Sequence, residues 1–154
     1  MSKRRRTSFI IWLMLTVAIA GLITYFSSQI APESNDLSKS ITKWIMDIFV
    51  SDYSGETLRR YNSITRKAAH FILYFLLGFS LSGVLQHQHR VPKLPTVVLI
   101  GAAFAALDEF HQHFVEGRGP QVTDVLLDTC GVLAGSLVML GIAALVRRDR
   151  RGTA

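Results

Sequence analysis

Ionisable side chains inside apolar stretches are the residues of this sequence that could carry chemistry. Lys67, His70 and Tyr74 are spaced i, i+3 and i+7, so a helix would place them on one face. Asp108 and Gln112 are spaced i, i+4 and would share a face of another helix. Because charged groups are costly in a membrane, such residues form a ligand site, a proton path or an internal ion pair.

A second set of acids follows within a short distance along the chain. Glu109 and His113 form a stripe beside that of Asp108, and Asp124 and Asp128 are again spaced i, i+4. Arg118 lies in the turn-like Gly-Arg-Gly-Pro connector between the two acid pairs. Carboxylates outnumber the neighbouring bases, and crowded carboxylates attract a cation or a proton.

The elements that must position these residues are membrane helices. The chain has 154 residues, of which 49% are hydrophobic and 18% are charged, and its mean hydropathy is +0.31. This composition excludes a disordered chain. We predict an all-helical, single-domain four-helix bundle integral to the membrane and spanning residues 1–154. The predicted spans are residues 8–26, 68–86, 96–115 and 122–146.

Basic residues are concentrated at the two ends of the chain. Four precede the first span at residues 3–6, and four arginines follow the last span within residues 147–151. This distribution predicts a cell-membrane protein with both termini in the cytoplasm, and it argues against a nucleic-acid partner despite the net charge of +6. The start of span two, the end of span three and the start of span four would then share the outer interface.

The N-terminal segment has two interpretations. Its basic start, its apolar run and the residues Ala18-Ile19-Ala20 loosely match a cleaved signal peptide. The apolar run continues beyond this motif to Phe26, which favours a retained span. The remaining topology is the same in both cases.

The connection of about forty residues after span one is too long for a simple turn. We predict in it an amphipathic helix capped by Ser34 or Asn35, with Trp44 as an interfacial anchor. Such a helix would lie on the outer membrane surface. A soluble cap packed on the outer loops is the alternative. Apolar residues recur in it at helical spacing: Leu37, Ile41, Ile45, Ile48 and Phe49.

Small residues lie on the same helical stripes as the acids. Gly131 and Gly135 continue the stripe of Asp128, and Gly101 and Ala105 precede Asp108 on its face. Small residues at this spacing let helices approach closely in lipid. The polar faces of spans two, three and four are therefore expected to face one another.

The spacing of these residues resembles the VanZ family, which is named after a teicoplanin-resistance protein of bacterial membranes. The shared pattern is Lys67-x2-His70-x3-Tyr74, then Asp108-Glu109-x2-Gln112-x5-Arg118-x5-Asp124, with Gly131 following. The stretch from Phe26 to Gln29 is similar as well. The sequence departs from the family at Glu116, where proline is common, and at Asp128, where asparagine is common.

The resemblance implies a small multi-spanning bacterial membrane protein of cell-envelope adaptation, including glycopeptide resistance. A pocket at the outer ends of spans two to four would bind a membrane lipid or a cell-wall precursor. The residues predicted to bind this ligand are Lys67, Tyr74, Gln112, Arg118, Asp124 and Asp128. Lys67 and Arg118 would contact anionic groups, and Tyr74 and Gln112 would orient the ligand.

Several other roles remain open on the residues alone. Glu109 or Asp108 as a general base, with His70 as the proton shuttle, would describe an enzyme acting on a phosphate-containing envelope lipid. The charges could instead be purely structural. Asp108, Glu109, His70 and His111 are metal-ligand types, but no strict ligand motif is present and no metal site is predicted. The sequence identifies no cofactor. A transporter would need a homodimer to supply a second half.

Overall fold

The computed structural model describes residues 3–50, 52–88, 94–116 and 121–152, and this part of the chain is almost entirely helical. It contains five helices in chain order: α1 (Lys3–Ser27), α2 (Ala31–Phe49), α3 (Gly55–Gln88), α4 (Leu94–Gln112) and α5 (Val122–Gly152). The predicted all-helical fold class is confirmed.

Four of the helices, α1, α3, α4 and α5, are long and apolar enough to cross a membrane. The chain is therefore a multi-pass membrane protein. The ends of two helices differ from the ends of the predicted spans. α3 begins at Gly55, well before the predicted start at Ala68, because charged residues such as Arg59 favour helix even though they end an apolar run. α4 ends at Gln112, and turns follow it, rather than continuing to residue 115.

α3 is the central helix, because it packs against each of the other four helices and most extensively against α5. The contact with α5 depends on small residues. A side chain at Gly131 would meet the backbone oxygen of Phe71 at 2.7 Å, and one at Gly135 would collide with the backbone of Phe75. The predicted close approach of helices at Gly131 and Gly135 is confirmed.

α4 approaches α5 in the same way. A side chain at Gly101 would meet the Val132 side chain at 2.5 Å, and Ala105 is buried. The hydrophobic core lies between α1, α3, α4 and α5. Its buried members are Ile19, Ile23, Tyr74, Leu77, Val97, Ala105 and Val132.

α2 begins earlier than the capping prediction places it. Its N-cap is Ile30, which makes no side-chain hydrogen bond, and a proline lies at the first or second helical position. The prediction that Ser34 or Asn35 caps this helix was therefore wrong. Proline suits the first turn because its fixed φ is already helical and it lacks the N–H that a cap would satisfy.

α2 contacts α3 through residues other than its apolar stripe. Ser38, Thr42 and Met46 are buried, and the Thr42 hydroxyl donates to Thr65 Oγ1 at 2.8 Å. The predicted stripe is exposed, with Ile41 at 45% and Phe49 at 81% relative exposure. An exposed apolar stripe on a membrane protein is what a helix in contact with lipid requires.

Candidate functional site

Polar side chains from α1, α3, α4 and α5 meet at the end of the bundle where α2 lies, which we call the α2 end. Ser27 ends α1, Asp108 is in the last turns of α4, and Asp124 is in the first turn of α5. We call this group the polar cluster. It comprises Ser27, Lys67, His70, Tyr74, Asp108, Glu109, Gln112, Asp124 and Asp128.

Asp108 is the acceptor that joins α1 to α4. Its Oδ2 atom accepts a hydrogen bond from the Ser27 hydroxyl at 2.7 Å and another from Gln112 Nε2 at 3.2 Å. Gln112 Nε2 also lies 3.3 Å from Ser27 Oγ. All three side chains are buried, so these bonds satisfy groups that water does not reach.

Ser27 is a member of the polar cluster that the sequence reasoning did not include among the site residues. The available signal was its place directly after the first apolar run, in the stretch from Phe26 to Gln29 that resembles the VanZ family. A serine at the end of a span is common at a membrane boundary, and only the fold shows that it faces Asp108.

Glu109 connects α4 to the start of α5. Its Oε1 atom accepts a hydrogen bond from the backbone N–H of Gln121 at 2.5 Å, immediately before the first residue of α5. A carboxylate at this position also interacts favourably with the positive end of the helix dipole. Glu109 is also buried. Because it bonds to the backbone next to α5, it has a structural role in fixing the beginning of that helix.

Within the polar cluster, two contacts between ionisable side chains link α3 to α5. Lys67 Nζ lies 2.5 Å from Asp124 Oδ1, and both side chains are partly exposed, at 38% and 25%. One turn further along, His70 Nδ1 lies 3.8 Å from Asp128 Oδ2, which is too long for a hydrogen bond. Lys67, the residue predicted to contact an anionic ligand, is therefore paired with Asp124 in the structure.

Two buried atoms of the polar cluster have no hydrogen-bond partner among the described residues: the Tyr74 hydroxyl and Asp128 Oδ1. Tyr74 is completely buried, and its hydroxyl faces Asp108 without reaching hydrogen-bond geometry. Asp128 is 3% exposed. Because an unpaired buried polar group is costly, these two atoms need an explanation that the contacts of the described residues do not supply.

The remaining sequence candidates do not add to the polar cluster. Arg118 lies outside the described residues. His111 and His113 are exposed, whereas Asp108 and Glu109 are buried, so the four metal-ligand types considered from the sequence do not converge. Within the described ranges, no group of three or more His, Cys, Asp or Glu side chains is arranged to hold a metal ion.

An open cavity of about 340 Å³ lies between α2, α3 and the end of α1, and we call it the apolar cleft. Phe26, Leu37, Ile41 and Leu73 contribute to its apolar walls, and His70 lines it as well. His70 therefore connects the apolar cleft to the polar cluster through its contact with Asp128. Neither Tyr74 nor Asp128 lines the apolar cleft itself.

A match to a protein-family model shows which family the chain belongs to. The VanZ/LLP1 model matches residues 9–145. The chain belongs to the VanZ/LLP1 family. The matched region contains the polar cluster, the apolar cleft and the four candidate spans except the start of the first and the last residue of the fourth, so the VanZ resemblance read from the sequence is confirmed. No curated protein and no solved structure matches the chain.

Proposed function

We propose that this VanZ-family protein binds a lipid-linked or cell-wall-related molecule at the polar cluster and that this binding supports cell-envelope adaptation, including glycopeptide resistance. The observation that carries the proposal is a pair of buried atoms without a hydrogen-bond partner among the described residues, the Tyr74 hydroxyl and Asp128 Oδ1. A ligand that bonds to them would remove the cost of leaving them unpaired.

The contacts within the polar cluster separate structural groups from groups available to a ligand. Asp108 accepts from two side chains, Glu109 accepts from a backbone N–H, and Asp124 accepts from Lys67. These groups hold the helix ends together. Tyr74 and Asp128 retain hydrogen-bonding capacity, and Asp128 lies beside His70, which lines the apolar cleft.

The chemistry of the unpaired atoms defines the group that they can bind. A carboxylate oxygen accepts hydrogen bonds, and a phenol hydroxyl both donates and accepts. Hydroxyl, amide and amine groups fit this pair, whereas a second carboxylate does not. The sugar, peptide or head-group portion of an envelope molecule carries such groups, and its chain suits the apolar lining next to His70.

The same contacts favour binding over acid/base catalysis. Glu109 fixes the start of α5, and Asp108 is held by Ser27 and Gln112, so neither carboxylate stands ready beside a substrate proton. We therefore expect Glu109→Gln to leave the pools of envelope lipids and precursors unchanged at equal protein abundance. Accumulation of one precursor in that strain would favour catalysis.

The test compares bacterial strains that express the wild type, Tyr74→Phe or Ser82→Ala at equal membrane abundance. Both substitutions delete one buried, unpartnered hydroxyl of α3, but Ser82 lies about 12 Å further along the helix. We expect Tyr74→Phe to alter teicoplanin susceptibility at least about fourfold, because about 1 kcal/mol of binding energy is lost. Ser82→Ala should match the wild type. Identical susceptibility in all three strains would contradict the proposal.

A further inference from the structure

A second cavity of about 320 Å³ adjoins the apolar cleft, and we call it the basic pocket. It lies between α2 and α3 and is lined by the cationic side chains of Lys39, Arg59 and Arg66 together with Asn35, Asn62 and Ser63. Arg66 also lines the apolar cleft. Arg66 is therefore shared by the lining of a polar and of an apolar cavity.

The charges of the basic pocket are almost uncompensated. Its described lining contains three cations and no carboxylate. Lys39 has a contact with Asp36 at 3.9 Å, but both side chains are largely exposed, so this pair is weak. Arg59 and Arg66 form no ion pair within the part of the chain that the structure describes. Arginines without a carboxylate partner suit phosphate, which a guanidinium binds in a bidentate manner.

Asn62 adds a second observation that indicates a ligand. The side chain is 7% exposed, its Nδ2 atom donates weakly to Asn35 at 3.4 Å, and its Oδ1 atom has no partner among the described residues. A buried acceptor without a donor is unfavourable. A head group that carries both a phosphate and a hydroxyl would satisfy the arginines and Asn62 together.

The surroundings of the two cavities favour a membrane lipid over a soluble phosphate. Leu37 and Ile41 line the apolar cleft and also belong to the exposed apolar stripe of α2. A chain in the apolar cleft would therefore continue into the lipid that this stripe contacts. A soluble phosphate would leave that apolar surface uncovered.

We propose that the basic pocket and the apolar cleft together bind one anionic phospholipid with a hydroxyl-bearing head group. The phosphate contacts Arg59 and Arg66, the head-group hydroxyl donates to Asn62, and an acyl chain occupies the apolar cleft. This inference goes beyond the proposed function, because it assigns a lipid head group to the basic pocket, whose lining contains no residue of the polar cluster.

The test uses native mass spectrometry of the full-length protein in mixed micelles of phosphatidylglycerol and phosphatidylcholine. We expect the wild type to retain phosphatidylglycerol preferentially. The double variant Arg59→Gln/Arg66→Gln should weaken this retention about tenfold for each arginine, which is the effect of losing a charge-assisted hydrogen bond. The matched control is Lys43→Gln/Arg60→Gln, which removes two exposed cations of the same helices outside the basic pocket.

A second pair of variants tests the acyl chain. Ala68 and Ala69 are both exposed, but only Ala69 lines the apolar cleft. Ala69→Phe should therefore reduce phosphatidylglycerol retention at least fivefold, and Ala68→Phe should leave it unchanged, since only the first fills the apolar cleft. Glycerol 3-phosphate, the head-group chemistry without chains, should not displace the lipid.

Each outcome decides a part of the inference. Equal losses in the pocket variant and its charge-matched control would overturn it in favour of general surface attraction. Tight binding of glycerol 3-phosphate, or equal effects of the two phenylalanine variants, would overturn the assignment to a lipid. If the double variant is unstable, Arg59→Lys/Arg66→Lys keeps the charge and should lose less. Loss of lipid retention as expected, with no effect of Tyr74→Phe in cells, would leave this inference standing and refute the proposed function.

Discussion

The polar cluster and the basic pocket lie at the same end of the bundle, but their polar groups are satisfied to different degrees. In the polar cluster, most groups bond across helices, as Ser27 does with Asp108 and Lys67 does with Asp124. In the basic pocket, Arg59 and Arg66 have no carboxylate partner within the described residues. Cross-helix bonds identify the groups that hold the fold, and unpaired groups identify those left for a ligand.

This difference extends to the helices that form each region. The polar cluster lies on α1, α3, α4 and α5, whose backbones approach closely at glycines. The basic pocket and the apolar cleft involve α2, which packs mainly along α3 and buries Ser38, Thr42 and Met46. We therefore expect the α2 side to be the more adaptable part of the α2 end, as a lipid-binding surface requires.

The largest expected effect comes from the packing that supports the polar cluster. Gly135→Leu should lower the free energy of unfolding by about 3 kcal/mol, because the new side chain collides with the backbone of Phe75 in α3. Gly141→Leu on the same helix is the control, since no atom lies within 4 Å of an added Cβ there. Thermal unfolding in detergent measures both. Equal losses would show that the contact between α3 and α5 is not close.

The next effect tests whether the cross-helix bonds of the polar cluster are structural. Ser27→Ala should cost about 2 kcal/mol, because it leaves the buried Asp108 without one of its donors. Ser28→Ala should lower the free energy of unfolding by less than about 0.5 kcal/mol, since Ser28 is exposed and its hydroxyl bonds to the nearby backbone of Tyr25 in the last turn of α1. Unfolding in detergent measures the stability of both variants. A larger loss of stability for Ser28→Ala than for Ser27→Ala would refute the structural role of the bond between Ser27 and Asp108.

A smaller effect is expected where α2 meets α3. Thr42→Val should cost about 1 kcal/mol, since it removes the bond to Thr65 while keeping the side-chain shape. The loss should appear as faster backbone hydrogen exchange in α2 than in α5. Ser40→Ala, which removes an exposed bond within α2, serves as the control. Uniformly faster exchange throughout the bundle would contradict the view that α2 opens separately.

The smallest effect concerns the partly exposed pair at the rim of the polar cluster. Lys67→Gln should cost no more than about 1 kcal/mol, because solvent screens the contact with Asp124. The cost should shrink further at high salt. Lys43→Gln, an exposed lysine of α2, is the control for general charge loss. A cost that does not respond to salt would mean that this pair is buried more deeply than its exposure indicates.

The spans and the close helix contacts could be predicted from the sequence. Long charge-free runs have few alternatives to a membrane helix, and Gly131 and Gly135 at i, i+4 spacing have a direct packing use. The early start of α3 at Gly55 could not be predicted from apolarity, because a helix continues past the membrane boundary wherever its residues favour helix.

The details of α2 and of the polar cluster needed tertiary structure. An apolar stripe shows which face of α2 avoids water, but it does not show whether protein or lipid covers that face. The structure leaves Ile41 exposed and buries Thr42 beside it. Likewise, the sequence indicated that Asp108 needs a partner but not that Ser27, eighty-one residues earlier, provides one.

The most direct test of the ligand-binding account is the identification of envelope molecules that co-purify with the protein. The wild type, Tyr74→Phe and Ser82→Ala would be extracted in parallel from the same host and compared by mass spectrometry. The account predicts one envelope lipid or precursor that is retained by the wild type and by Ser82→Ala and is depleted at least about fivefold from Tyr74→Phe. The same profile in all three proteins would contradict it.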